Sequence, residues 1–135
     1  MKEFKLDARL ENDCFLLSES EQFCVLLMNN SLVPWFILVP KTDKTELYEL
    51  EDDMRVQTFD VINQLSTFVK NEFTPDKLNV AAIGNIVSQM HIHIIGRYKT
   101  DIYWPGVVWG AKQKEVYLDD EVNIIKKSLN KVLVL

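Results

Sequence analysis

Between Val87 and Ile95 the chain alternates. Gln89, His91 and His93 are separated by Met90, Ile92 and Ile94, and both histidines of the protein lie here. Successive side chains of a β-strand point to opposite faces, so strict alternation predicts a strand with two unlike sides. The β-branched residues, and Gly84 and Gly96 at either end, agree with that reading. The Met-Ile-Ile side has to be buried, so something must pack on it. The other side carries a row, Gln-His-His. Two imidazoles two residues apart stand about 7 Å apart along a strand, close enough to grip one phosphate or one metal. The same pattern also suits a partly wet strand face that happens to carry two histidines.

The rest of the chain supplies the layers. Phe23–Met28 reads as a buried strand ended by Asn29-Asn30-Ser31, a turn-forming cluster. Trp35–Val39 is a second, bracketed by Pro34 and Pro40, which stop a ladder where each falls. From about Leu50 the period changes, and Val56, Phe59, Ile62, Leu65, Val69 and Phe73 predict one stripe of a long amphipathic helix. Glu51, Asp52 and Asp53 suit the positive end of its dipole, and Thr74-Pro75 ends it. Leu78–Ile83 reads as a third strand. It turns at Gly84-Asn85 straight into the histidine strand, which predicts an antiparallel hairpin. Residues 4–12 suggest a short helical turn and Ser18–Glu21 a loop. A second helix is expected from Asp119 or Asp120 to about Leu133, with Val122, Ile125, Leu129 and Val132 inward and Lys126, Lys127 and Lys131 toward its C-terminus. Strands grouped around one long helix and joined mainly by hairpins predict an α+β fold with an antiparallel sheet.

A chain of 135 residues is expected to form one domain, 1–135, with a core that needs no staples. Fifteen Lys and Arg against 20 Asp and Glu give a formal charge of −5. That argues against a duplex nucleic-acid binder, which needs a net basic face. A nucleotide is not excluded, because its phosphates need only a few local donors. No secretory segment is visible at the N-terminus, and no apolar run reaches the ~18 residues of a membrane span. Cys14 and Cys24 form neither a disulfide framework nor a CxxC motif. A cytoplasmic protein that binds no membrane is the expectation.

The stretch Gly84-Asn85-Ile86-Val87-Ser88-Gln89-Met90-His91-Ile92-His93-Ile94-Ile95-Gly96-Arg97 resembles the signature of the histidine triad (HIT) proteins. In these a glycine-containing turn leads into His-φ-His-φ-His-φ-φ, with φ apolar. Phe36-Ile37-Leu38-Val39-Pro40-Lys41 is similar to the family's apolar strand ending in Pro-Lys. Leu47-Tyr48-Glu49-Leu50 and the helix after it resemble the next segment, and Trp104-Pro105-Gly106 lies where many members carry Trp-Pro. The resemblance covers roughly residues 4–110. It implies a HIT-like sheet of about five strands with one long and one C-terminal helix, a homodimer, and no cofactor.

The resemblance also implies roles. His91, in the middle place of the triad, would attack the α-phosphorus of a nucleotide to give a covalent nucleotidyl-histidine that water then cleaves. A neutral imidazole, with a pKa of about 6.5, is available for this near neutral pH. His93 would donate to the phosphate or leaving group. Gln89 stands where the family has its first histidine. It can orient the row by a hydrogen bond but cannot carry a proton. Asn30, Asn79 and Asn85 fall near positions that reach the ribose or phosphate, although Asn30 and Asn85 also suit plain turns. Arg97 and Lys99 would bring positive charge, and Trp104 or Trp109 could stack on a base, anchor a loop or line a subunit interface. Three functions are compatible: an adenosine-type nucleotide hydrolase or transferase, a non-catalytic nucleotide-binding module, and a metal protein using His91 and His93.

Overall fold

The computed structural model describes residues 3–135. After a helix α1 (Ala8–Asp13) come strands β1 (Cys14–Glu19), β2 (Phe23–Met28) and β3 (Trp35–Pro40), then the long helix α2 (Asp52–Phe73). Strands β4 (Lys77–Ala81) and β5 (Ile92–Arg97) and a second long helix, α3 (Asp119–Asn130), complete the order. The five strands form one antiparallel sheet in the order β1-β2-β3-β5-β4. This is the α+β architecture expected.

Both faces of the central strands are covered, which is why β2 and β3 read as continuous apolar runs. Val25, Leu27, Phe36, Leu38, Ile92 and Ile94 share one core with Val61, Leu65 and Val69 of α2 and Ile125 and Leu129 of α3. Leu26, Ile37, Val39 and Ile95 face the other way, against Leu10, Tyr103 and Val108. Among the described residues no helix is long and apolar enough to cross a membrane.

Four expectations shift. β1 lies on residues that gave no clear strand signal and takes in Ser18 and Glu19, where a loop is expected: it is an edge strand, half-exposed, with a bulge between Leu16 and Ser18. The histidine strand begins at Ile92, and residues 82–91 form a loop in place of a tight hairpin, although β4 and β5 are antiparallel neighbours. β3 pairs with β5 from Trp35–Ile95 to Leu38–Ile92. A strand running back to Val87 would need partners at and beyond Pro40, which has no N–H to give. On α2 the buried positions are Thr58, Val61, Ile62, Leu65, Phe68 and Val69, so the inward face is rotated from the expected stripe and leaves Val56 and Phe59 exposed. α3 stops at Asn130, whose Nδ2 donates to the Leu17 carbonyl of β1 (2.9 Å), and Val132 is exposed.

Gly96 fixes how closely α2 approaches β5. A Cβ there would stand 2.8 Å from Pro34 Cγ and 3.0 Å from Val69 Cγ1. Only glycine fits without displacing Pro34 or pushing back Val69 of the helix.

Candidate active site

The parity of β5 holds as the alternation predicts. Met90, Ile92 and Ile94 belong to the core under the helices. His93 faces the opposite side, next to Ile37 of β3 in the register. His91 sits one residue ahead of the strand. The row is not a wet face, however, because His91 is 7% and His93 5% exposed. Their ring centroids are 4.9 Å apart.

Each ring has one nitrogen committed to a partner that leaves no choice of role. Nδ1 of His91 lies 2.7 Å from the backbone carbonyl of Gln89. A carbonyl only accepts, so Nδ1 carries the hydrogen and Nε2 keeps a lone pair. Nδ1 of His93 lies 2.9 Å from Trp35 Nε1. An indole N–H only donates, so His93 accepts at Nδ1 and its Nε2 carries the hydrogen. Burial, and then the neighbouring His91, pushes the His93 pKa down to about 3, so His93 is a neutral donor near pH 7. The two imidazoles are fixed as opposite tautomers, one offering a lone pair and the other an N–H.

A cleft of about 590 Å³ opens over them. His91, His93, Trp35 and Ile37 form its base, residues 83–87 one wall, and Tyr103 with residues 108–111 another. Arg9 and Lys114 bring positive charge to the lining and Asp13 negative charge. Trp109 stands edge-on to His93, with centroids 5.2 Å apart, and to Trp35 at 6.4 Å. A smaller cavity of about 300 Å³ lies beside it and shares Ile83, Gly84 and His91.

The structure brings some expected residues together and sends others elsewhere. Asn30 lines the cleft, but Nδ2 donates to the Tyr103 hydroxyl (2.9 Å) and Oδ1 accepts from the Leu32 N–H (3.2 Å). Asn85 is exposed on the cleft wall. Gln89 is in the lining of the smaller cavity only, and its amide is bonded to the backbone of Lys5 and Asp7. It therefore does not orient the histidine row by its side chain.

Arg97, Asn79 and Trp104 lie outside the cleft lining. Arg97, 2% exposed, donates to Asp101 (2.9 Å), Asn79 Oδ1 (2.9 Å) and the Gly106 carbonyl (2.8 Å), and its guanidinium lies 5.7 Å from the Trp104 ring centroid. Arg97 shares the face of His93, but four residues along a strand is about 13 Å, past the end of the cleft. Lys99 is exposed, with its backbone N–H on Asp76. Trp35 and Arg9 were not expected at the site. The parity of β3 gives a signal for Trp35, since it falls on the side of Ile37, which neighbours His93. Arg9 has none. Among the described residues no three His, Cys, Asp or Glu side chains are placed to share a metal ion.

The sequence model of one family, the HIT domain, matches residues 9–100. The chain belongs to the HIT domain family. "Protein hit" of Bacillus subtilis (strain 168) is 31% identical over 94 residues, which are 65% of this chain and 63% of that protein. The match thus spans less than two-thirds of that relative's length. Among solved structures, a histidine triad protein from Bradyrhizobium japonicum superimposes with a TM-score of 0.92 at 32% identity, covering 97% of this chain and 98% of the other. One from Marinobacter aquaeolei VT8 gives 0.90 at 40% identity and covers 96% of both. This HIT domain has its histidine pair on the strand and loop that carry the family signature.

Proposed function

We propose that this HIT-family protein is a nucleotide hydrolase or nucleotidyl transferase. It acts at the α-phosphorus of an adenosine-type phosphoramidate or dinucleoside polyphosphate. The observation that carries the reading is the pair of fixed, opposite tautomers at the base of one cleft. His91 Nε2 attacks phosphorus. The N–P bond forms, the bond to the leaving group breaks, and the leaving group departs with its electron pair and takes a proton from solvent. The imidazole becomes cationic in this step, and the Gln89 carbonyl at its Nδ1–H stabilises that charge. His93 Nε2–H donates to a phosphoryl oxygen, where negative charge accumulates. Water then cleaves the N–P bond and restores His91, the two-step economy of a covalent route.

His91→Ala should lower turnover of an adenosine phosphoramidate by at least about 10³-fold while nucleotide binding persists. Intact-protein mass spectrometry after a rapid quench should find the nucleotidyl adduct on wild type and none on the variant. Turnover near wild type in His91→Ala would end this reading.

Nucleotide binding without turnover is the second reading. It is favoured by one observation: the side chain at the first triad position faces away from the row, so its amide, unlike its backbone carbonyl, supplies no group to the reaction. We also propose a homodimer, because the edge strand β4 and part of α2 present apolar side chains to solvent. Cys14 and Cys24 are free thiols, in keeping with the cytoplasm as the proposed compartment.

A further inference from the structure

Gln89 acts in two directions. Its backbone carbonyl accepts from His91 Nδ1 at 2.7 Å. Its side-chain amide runs the other way, with Oε1 accepting from the Asp7 N–H at 2.8 Å and Nε2 donating to the Lys5 carbonyl at 2.8 Å. One side chain thus uses its donor and its acceptor on the backbone of residues two apart, as a neighbouring strand would. Three residues earlier in the loop, the Ile86 carbonyl accepts from Arg9 Nη1 at 3.0 Å. Arg9 is itself braced by Asp7, through Nε and Nη2 at 3.3 Å, and its N–H is capped by Asp7 Oδ1 at 2.8 Å.

Besides the packing of Met90 and Val87 against the cores, these bonds are what fasten the loop. Residues 82–90 belong to no strand, and Gly84 turns the chain in the left-handed region at φ +68°. Among the described residues, apart from the His91 bond to the Gln89 carbonyl, every side-chain hydrogen bond from 82–90 to another part of the chain runs to residues 5–9. The peptide whose oxygen holds His91 therefore lies on a loop fastened by the N-terminal segment.

We propose that Gln89 is a positioning residue. Its pinned amide holds the loop so that its own carbonyl faces His91 Nδ1, and residues 5–9 thereby set the tautomer of the nucleophile. This rests on the reading of His91 as the nucleophile. If the carbonyl swings away, nothing retains the proton on Nδ1. It can settle on Nε2, and the lone pair leaves the cleft. Loss of the group that fixes a catalytic imidazole's tautomer can cost up to about 10⁴ in rate. An indirect pin should cost less, roughly 10–100-fold.

The test compares wild type with Gln89→Leu, which keeps bulk without polarity, and Gln89→Glu, which can still accept from Asp7 but cannot donate to Lys5. Imidazole ¹⁵N shifts report the His91 tautomer without substrate, and steady-state kinetics on adenosine phosphoramidate report the consequence. Gln89→Leu should move His91 from Nδ1–H toward a mixture and lower kcat roughly 10–100-fold with KM within about twofold. Gln89→Glu should recover part of both. In wild type the Asp7 amide should exchange slowly with solvent, a measurement that needs no variant. A fast-exchanging Asp7 amide, or a Gln89→Leu protein whose His91 remains wholly Nδ1–H at an unchanged rate, would overturn the proposal. A tautomer shift in a protein that turns nothing over would uphold the positioning role and overturn the hydrolase reading instead.

Discussion

His93 shows how surroundings decide a residue's chemistry. Burial, and then the neighbouring His91, keeps the ring neutral, and the Trp35 indole N–H on Nδ1 fixes its tautomer. The consequence for stability has a definite sign. The folded-state pKa of about 3 lies below the ordinary 6.5, so between these values the unfolded chain binds more protons. The contribution is fully present above pH 6.5 and is lost as pH falls toward 3. The His93 ring shifts in an NMR titration should stay flat from pH 8 to 5, and the melting temperature should drop over that range. His93→Phe should reduce the drop. A His93 midpoint near 6.5 would contradict the buried, neutral assignment. The histidine pair was legible because alternation is a local signal. Trp35 and Arg9 reach the same cleft from elements 58 and 84 positions away; the parity of β3 points to Trp35 only once its register with β5 is known, and nothing local points to Arg9.

At the scale of elements, pairing rules explain both what was legible and what was not. β2, β3, α2 and α3 announce themselves by apolar runs or helical spacing. β1 does not, because an edge strand needs only one buried side and a bulge breaks its alternation. The start of β5 depends on Pro40 in another strand. The inward face of α2 depends on which neighbours it meets, and Val56 and Phe59 satisfy the same spacing without being covered. The segment 98–106 is held by a buried group, Arg97, that the family resemblance puts beside the nucleotide. Burial works to raise the Asp101 pKa, but the Arg97 guanidinium and the backbone N–H groups of Tyr98 and Tyr103 outweigh it and hold it below the carboxylate range. Removing one partner of a buried ion pair strands the other, at about 3–5 kcal/mol. Arg97→Ala should therefore lose roughly that in urea denaturation. Nucleotide affinity of the folded fraction should change little, because Arg97 lies outside the cleft. A large loss of affinity at unchanged stability would restore Arg97 to the binding site.

For the whole molecule, the remaining question is what covers its apolar surface. The aromatic loop after β5 is largely packed onto its own chain. Tyr103 is buried, Trp104 lies over Arg97, and Trp109 meets Trp35 and His93. The loop still exposes Ile102 and Val107 (59% each), and exposure is found also at Tyr48 (83%), Val56 (67%) and Phe59 (54%), and at Val80 (46%) on β4. β4 is an edge strand of the sheet, and an edge with open N–H and C=O groups invites a further strand. A second copy would meet that edge with its own and continue the sheet, isologously as two-fold pairing requires. Light scattering at micromolar concentration should give twice the 15.7 kDa of one chain. A charge placed on each face, as in Phe59→Asp with Val80→Lys, should shift the mass toward one chain without unfolding it, because both side chains already face solvent. A wild-type mass of one chain would remove the dimer. A double variant that stays dimeric would move the interface to another face.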